Sequence, residues 1–341
     1  FHQYKAILIV VPTVSLRDDL FNKASKYGIS ACKKLANLSA GHRLIVITFD
    51  ESMDRSNTTK MMALADNGRI SRVFIDEVHS VLTDANYRNI MEYIPMLRAL
   101  RLPTTLLTAT LTHEEVDIMI ERFFPVNPPV IIRSRTSRKN IRYHVKKVGR
   151  LSPEWFSDEV GRHLTTIRYG GKILLFCRTK FVISERTAKL ANIGIIHAIY
   201  HGDLDESSKS ENARLFSMNP EYRLMVCTSA FGLGIDIADV AIVLLYDLPY
   251  SLYDYIQQTG RAGRNLVQVA ETYLYFCYSQ AIRDLSKDPN IKKQEFDYVL
   301  NYAMETQKCR KGMLSLYLDG VFSNCLHDRS PYCDNCDRMK N

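Results

Sequence analysis

The sequence has no apolar run long enough to cross a bilayer: its longest clean one, Val240 to Tyr246, is closed off by Asp239 and Asp247. Tryptophan occurs once, and only 15 glycines and 11 prolines are spread through 341 residues, which excludes a collagen and leaves no low-complexity segment. No sign of charge dominates. Lys+Arg 45 against Asp+Glu 37 gives a net charge of +8, and 46% hydrophobic against 24% charged residues excludes a disordered tail or a coiled coil. The start, Phe1-His2-Gln3, shows neither a signal peptide nor an initiating Met, and reads as a piece of a longer chain. Eight cysteines in a chain this long do not make a disulfide framework. Cys32, Cys177, Cys227 and Cys277 are scattered, three of them in apolar strand-like runs, and are expected to be reduced and buried, in a cytosolic or nuclear compartment.

What is present is an alternation of short β-rich runs with longer helical patterns, over a length that suits two compact domains and an appendage. The expected strands are Ala6–Val11, Leu44–Thr48, Val73–Ile75, Thr105–Leu107 and Val130–Ile132, then Ile173–Cys177, His197–Tyr200, Leu224–Cys227, Ile242–Tyr246 and Thr272–Phe276. Near-continuous apolar strands separated by helices predict parallel sheets covered on both faces. Two capping boxes, Ser15-x-x-Asp18 and Thr112-x-x-Glu115, are expected to open helices. Between the two strand series, Arg133 to Lys147 holds seven Lys/Arg and no acid, and reads as an interdomain connector.

Four segments carry chemistry. Phe74-Ile75-Asp76-Glu77-Val78-His79 places two acids and a His at the end of an apolar strand. A strand-end Asp there can hold Mg²⁺ through water, and its neighbouring Glu can deprotonate an attacking water. Taken alone, the segment is equally an acid pair capping the next helix. Thr108-Ala109-Thr110 follows the next strand and, alone, reads as an ordinary Ser/Thr turn. Ala230-Phe231-Gly232-Leu233-Gly234-Ile235-Asp236 offers glycines for close backbone approach to phosphates. Gln257-Gln258-Thr259-Gly260-Arg261-Ala262-Gly263-Arg264 sets two guanidinium forks beside flexible glycines, which suits phosphate oxygens. Near the end, Cys309, Cys325, Cys333 and Cys336 have the residue types for a tetrahedral thiolate site, with Cys333-Asp334-Asn335-Cys336 as a chelating pair and His327 as an alternative fourth ligand.

In this order the first four segments resemble helicase motifs II, III, V and VI of superfamily 2, and more specifically those of the RecQ family of DNA helicases. Val10-Val11-Pro12-Thr13-Val14-Ser15-Leu16 is similar to that family's motif Ia, and Phe176-Cys177-Arg178-Thr179 with Tyr200-His201-Gly202-Asp203-Leu204 to its motif IV region. Asp247-Leu248-Pro249 and Tyr255-Ile256-Gln257-Gln258 resemble the approach to motif VI.

The resemblance implies an α/β fold: two RecA-like parallel-sheet domains, the first incomplete, and a small helical zinc-binding subdomain with four cysteines. Residues 1–134 would form a partial ATP-binding domain, 135–287 the helicase C-terminal domain and 288–341 the zinc subdomain. It implies ATP hydrolysis coupled to 3′→5′ movement on single-stranded DNA and to unwinding of forked duplexes. Asp76 would hold Mg²⁺ and Glu77 would be the general base. His79, Thr108, Thr110, Gly234 and Asp236 would bind ATP or couple its state to DNA. Gln257, Arg261 and Arg264 would reach the γ-phosphate, with Arg264 as arginine finger. Thr13, Ser15, Arg178, His201, Thr228 and Ser229 would lie near the DNA backbone, and Cys309, Cys325, Cys333 and Cys336 would hold a structural Zn²⁺. No membrane partner is implied. The expected location is the nucleus in a eukaryote, or the cytoplasm and nucleoid in a bacterium.

Three departures stand against the family pattern, the third being that no winged-helix stretch is expected between the cysteines and Asn341. No Gly-x-x-x-x-Gly-Lys-Ser/Thr occurs, because Gly171-Lys172 is followed by Ile, so this chain by itself is expected to bind ATP weakly and hydrolyse it poorly. From Ser80 to Tyr87, Tyr87 is the only aromatic where RecQ proteins carry a Trp-bearing loop. Two other readings stay open: a non-catalytic nucleic-acid-binding remnant, and an RNA helicase of the same superfamily.

Overall fold

The computed structural model describes residues 5–80, 88–168, 170–232, 237, 240–266, 268–289 and 291–340, with only the backbone for 88–93. The described residues fall into two compact units, one up to Ser134 and the other from Arg135 onward. In the first, β1 (Ala6–Val11), β2 (Ala31–Cys32), β3 (Leu44–Thr48), β4 (Ile70–Ile75) and β5 (Thr104–Leu106) form a parallel sheet in the order β2-β3-β1-β4-β5. Strand β1 lies between β3 and β4, with Leu8 opposite Ile45 and Val10 opposite Ile75. These four side chains are fully buried and pack with Phe49 and Met61 of the intervening helices.

In the second unit, β6 (Ile141–Lys147), β7 (Lys172–Cys177), β8 (His197–Tyr200), β9 (Leu224–Cys227), β10 (Val240–Tyr246) and β11 (Ala270–Phe276) pair in parallel in the order β6-β11-β10-β7-β9-β8. Every residue of β7 and β9 is buried. That is why these strands are continuous apolar runs rather than alternating ones. Beyond β11 the chain turns helical, with helices Tyr278–Lys287, Lys293–Met304, Arg310–Asp319 and Asp334–Arg338. Tyr302 packs on Tyr255 with ring centroids 4.9 Å apart, joining this helical part to the sheet's layer. The fold is thus two parallel-sheet α/β units with a cysteine-bearing helical end.

The structure corrects three expectations. Residues 130–132 form no strand. They follow Pro128-Pro129, which lack N–H donors, and Val130 and Ile132 stay 90% and 95% exposed. The basic stretch 133–147 is a connector only in its first half, because its second half is β6, paired with β11. Ile141, Tyr143 and Val145 alternate inward there while the basic residues point elsewhere. Finally, Ser15 does not open its helix. Thr13 is the cap, in extended backbone, with its Oγ1 accepting from the N–H of Leu16 at 3.3 Å. The box Thr112/Glu115 is present, and a second, Thr48/Glu51, opens the helix Phe49–Met53.

Candidate functional site

Ligands of open parallel sheets bind beyond the carboxyl ends of the strands. In the first unit, Thr13 follows β1, Asp76 follows β4 and Thr108 follows β5, so all three leave the sheet at that edge. The loops after β4 and β5 are stitched together: Leu107 N donates to Ile75 O at 2.8 Å, and Val78 N donates to Leu107 O at 3.0 Å. Asp76 Oδ1 accepts from Glu77 N at 2.9 Å. Glu77 has φ +50°, a left-handed backbone that a non-glycine residue enters at a cost of about 1–3 kcal/mol. Its Oε2 lies 3.2 Å from His79 Nδ1, and that nitrogen also lies 2.9 Å from Thr108 Oγ1. The Thr108 hydroxyl in turn accepts from Thr110 N and donates to Thr110 O, both at 3.2 Å. Asp76, Glu77, His79, Thr108 and Thr110 therefore form one connected polar cluster. Burial, and secondarily the charge of Glu77, raise the Asp76 carboxyl above its ordinary range. Two adjacent carboxylates with a desolvated member are a donor set that suits Mg²⁺ and its water.

In the second unit, Arg178 follows β7, His201 follows β8, Thr228 and Ser229 follow β9 and Asp247 follows β10. A cleft at this edge is lined by Ser229, Asp254, Gln257, Gln258 and Arg261, and it continues past Arg178, Asp247 and Tyr250. It brings together Arg178, Ser229, Gln257 and Arg261 of the expected set. Arg178 is already engaged there. Its guanidinium bonds Asp284, lies 3.6 Å from Asp247 Oδ2 and sits over the Tyr250 ring at 5.6 Å. Asp247 has φ +74° and accepts from Leu248 N at 2.8 Å and from Gln280 Nε2 at 3.2 Å. Burial pushes its carboxyl up to about 6, against the pull of Arg178. His201 Nδ1 is buried with no hydrogen-bond partner among the described residues, and Thr228 Oγ1 accepts from Ala230 N at 3.4 Å. Gly234 and Asp236 lie outside the described residues, as does Tyr87.

The turn carrying Arg261 and Arg264 follows the helix Leu252–Thr259 and depends on residues that sequence reasoning missed. Arg138 donates to the carbonyls of Gly260, Ala262 and Gly263 at 3.3, 3.3 and 2.8 Å. Asn140 Nδ2 donates to Gly263 O at 2.7 Å and to Gln268 O at 3.1 Å. Gly263 has φ +58°, and a Cβ there would meet Asn140 Nδ2 at 2.5 Å and Ala270 Cβ at 2.9 Å. Glycine is required by both conformation and space. The one sequence signal for this arrangement was the alternation Ile141/Tyr143/Val145, which marks the strand that follows Asn140.

The four C-terminal cysteines converge. Their Sγ atoms all lie within 4.8 Å of one another, with Cys309 3.5 Å from Cys325 and 4.0 Å from Cys333. A tetrahedral Zn²⁺ with bonds of about 2.3 Å has sulfur–sulfur edges of about 3.8 Å, so the spacing fits a metal and excludes a disulfide. His327 is exposed and outside the group. The Arg310 N–H donates to Cys333 Sγ at 3.3 Å, and the Cys325 N–H donates to Cys309 Sγ at 3.4 Å. Bonding to Cys325 and Cys333, and backbone N–H donors, hold Cys309 far below the ordinary thiol range. Arg310 and Lys311 are each 1% exposed, and Lys311 Nζ has no hydrogen-bond partner among the described residues. Burial pulls that ammonium down, while the cysteines and Asp328 oppose the pull. Buried cations beside four thiols fit a net-negative metal–thiolate centre better than four neutral thiols.

Comparison with known proteins agrees with these features. The model of the helicase conserved C-terminal domain matches residues 156–266, and that of the type III restriction enzyme res subunit matches residues 1–113. The chain is 26% identical to ATP-dependent DNA helicase Q1 of Pongo abelii, over 96% of this chain and 53% of that protein. It is 26% identical to ATP-dependent DNA helicase RecQ of Pasteurella multocida, over 97% and 53%, and 26% identical to ATP-dependent helicase wrn-1 of Caenorhabditis elegans, over 98% and 33%. It thus spans about half the length of the first two. The fold resembles Saccharomyces cerevisiae Dbp5 bound to RNA and ADP BeF3 with TM-score 0.59 and 19% identity, covering 83% of this chain and 74% of that one. It also resembles Mycobacterium smegmatis helicase Lhr bound to ssDNA and AMP-PNP, with TM-score 0.60 and 18% identity over 81% and 40%. Along nearly its whole length the chain is thus similar to ATP-dependent DNA helicases of the RecQ type, and its two sheets share the fold of solved helicases.

Proposed function

We propose that this chain is the motor portion of a RecQ-type ATP-dependent DNA helicase that moves 3′→5′ along single-stranded DNA and opens forked duplexes. The observation that carries the reading is the connected cluster Asp76–Glu77–His79–Thr108 at the carboxyl edge of the first sheet. Asp76 would hold Mg²⁺, which would supply charge neutralisation at the phosphates. Glu77 orients and deprotonates the attacking water, and His79 passes the state of that carboxylate to Thr108 and Thr110. Arg261, Arg264 and Gln257 stabilise charge on the transferring phosphoryl group, with Arg264 as arginine finger. Thr13, Ser15, His201, Thr228 and Ser229 face the DNA backbone, and a strand phosphate competes with Asp284 for Arg178. The cysteine cluster would hold a structural Zn²⁺, since four thiolates would leave no open coordination position.

The absence of a Gly-Lys-Ser/Thr loop from the sequence favours, as second reading, nucleic-acid binding with little turnover by this chain alone. Strand displacement on matched DNA and RNA duplexes, each with a 3′ or a 5′ overhang, separates the readings. Displacement of the 3′-tailed DNA alone is the expected result for a helicase. Salt-sensitive binding of single-stranded DNA without displacement is the result expected of the second reading. Preference for the RNA duplex overturns both the DNA assignment and the RecQ-type role.

A further inference from the structure

We propose that Arg138 and Asn140 are positioning residues for the turn 260–264, and that the cysteine-cluster subdomain fixes the strap carrying them. The functional value of this device rests on the reading that Arg261 and Arg264 meet phosphate; the device itself does not.

The turn follows a helix whose last carbonyls point away from their own chain. The Arg138 guanidinium gathers three carbonyls of that turn, those of Gly260, Ala262 and Gly263, within 3.3 Å. A cation at a helix C-terminus is also favoured by the helix dipole. Asn140 adds a second donor to Gly263 O, and its own carbonyl accepts from Ala270 N at 2.8 Å. On the other side, the Gly263 N–H is fixed to Val240 O at 2.9 Å. The turn is therefore held from the sheet and from the strap, with no slack for a Cβ at Gly263.

The strap is pinned in turn at three acids of the cysteine-bearing end. Thr136 donates through both N and Oγ1 to Asp319 Oδ2, at 3.0 and 2.8 Å. Ser137 Oγ donates to Asp328 Oδ2 at 2.6 Å. The Val145 N–H, on the outer edge of β6, donates to Asp334 Oδ2 at 3.0 Å. Each acid depends on the cysteines. Asp319 closes the helix that Cys309 caps, Asp328 lies just after Cys325 and bonds Ser323, and Asp334 lies between Cys333 and Cys336. Asp334 is further locked by Arg310 at 3.0 Å. Loss of the thiolate centre frees the acids, the acids free the strap, and the strap frees the arginine turn. A metal site with no open coordination position would thereby set the geometry of two distant arginines.

Hydrogen–deuterium exchange on the purified zinc-bound chain tests this. Arg138→Ala should speed exchange of residues 260–266 by at least about tenfold, leaving residues 224–227 of β9 and the zinc content unchanged. Arg138→Lys should restore part of the protection, since an ammonium still donates to carbonyls. Chelating the zinc from the unsubstituted chain should speed the same segment, and should add less when Arg138 is already Ala. Where ATP turnover is measurable, Arg138→Ala should lower kcat with KM for ATP within about twofold, and Arg261→Gln should lower kcat without altering exchange at 136–145. Exchange that responds while Arg261→Gln leaves turnover untouched would keep the strap and discard the phosphate reading. Unchanged exchange at 260–266 in Arg138→Ala, or an increase no larger than that in β9, overturns the proposal.

Discussion

The polar cluster of the first unit and the arginine turn of the second are both placed by strand or helix ends, yet they are held by opposite means. Asp76, Glu77, His79, Thr108 and Thr110 bond one another, and the loops that carry them bond directly across β4 and β5. The turn 260–264 is held by Arg138 and Asn140, from a segment beyond the near end of the sheet and pinned to the cysteine-bearing helices. A cluster whose members bond one another answers first to its own residues. A turn braced at a distance does not, and it inherits the stability of its brace.

The sharpest way to break this contrast is Cys333→Ser. Loss of a structural Zn²⁺ site is expected to cost more than about 5 kcal/mol in the helical end. Zinc content and thermal melting would read the loss, and exchange should rise at 260–266 while staying unchanged at 76–80. A second test concerns Asp247, whose carboxyl is raised from 3.8 to about 6. A raised acid binds its proton more tightly in the folded state, so its contribution is full below about 4 and is lost as pH rises through about 6. About 2 units correspond to about 3 kcal/mol, and denaturant titrations between these pH values should show that slope in the natural chain and lose it in Asp247→Asn. Gly263→Ala forces a Cβ against Asn140 and Ala270 in a left-handed backbone, with an expected cost of about 1–3 kcal/mol and a larger fall in turnover than in melting temperature. Smallest is Thr112→Ala, which removes a helix cap of the first unit and should cost about 1 kcal/mol with no effect on the arginine turn.

The same contrast explains what was legible in the sequence. Strand ends followed by contiguous chemical residues, such as Ile75-Asp76-Glu77 or Cys227-Thr228-Ser229, show themselves because backbone continuity fixes where they emerge. The cysteines showed themselves through their residue type, and their convergence within 4.8 Å matches that reading. Arg138 and Asn140 did not, because their partners lie more than 120 residues away and a basic run looks like solvated surface. Val130–Ile132 misled for the converse reason: apolar and β-branched, these residues have strand composition, but they follow two prolines and find no neighbouring strand among the described residues. Ser15 gave a plausible cap, but the chain leaves β1 two residues earlier and Thr13 takes the N–H first.

The most direct test of the central claim is hydrolysis of Mg·ATP by the purified chain, with and without single-stranded DNA, for the natural sequence and for Glu77→Gln. The account predicts slow turnover, stimulated by single-stranded DNA and lost in Glu77→Gln, with salt-sensitive DNA affinity retained in both. Turnover that persists in Glu77→Gln, or a chain that fails to bind single-stranded DNA, would contradict it.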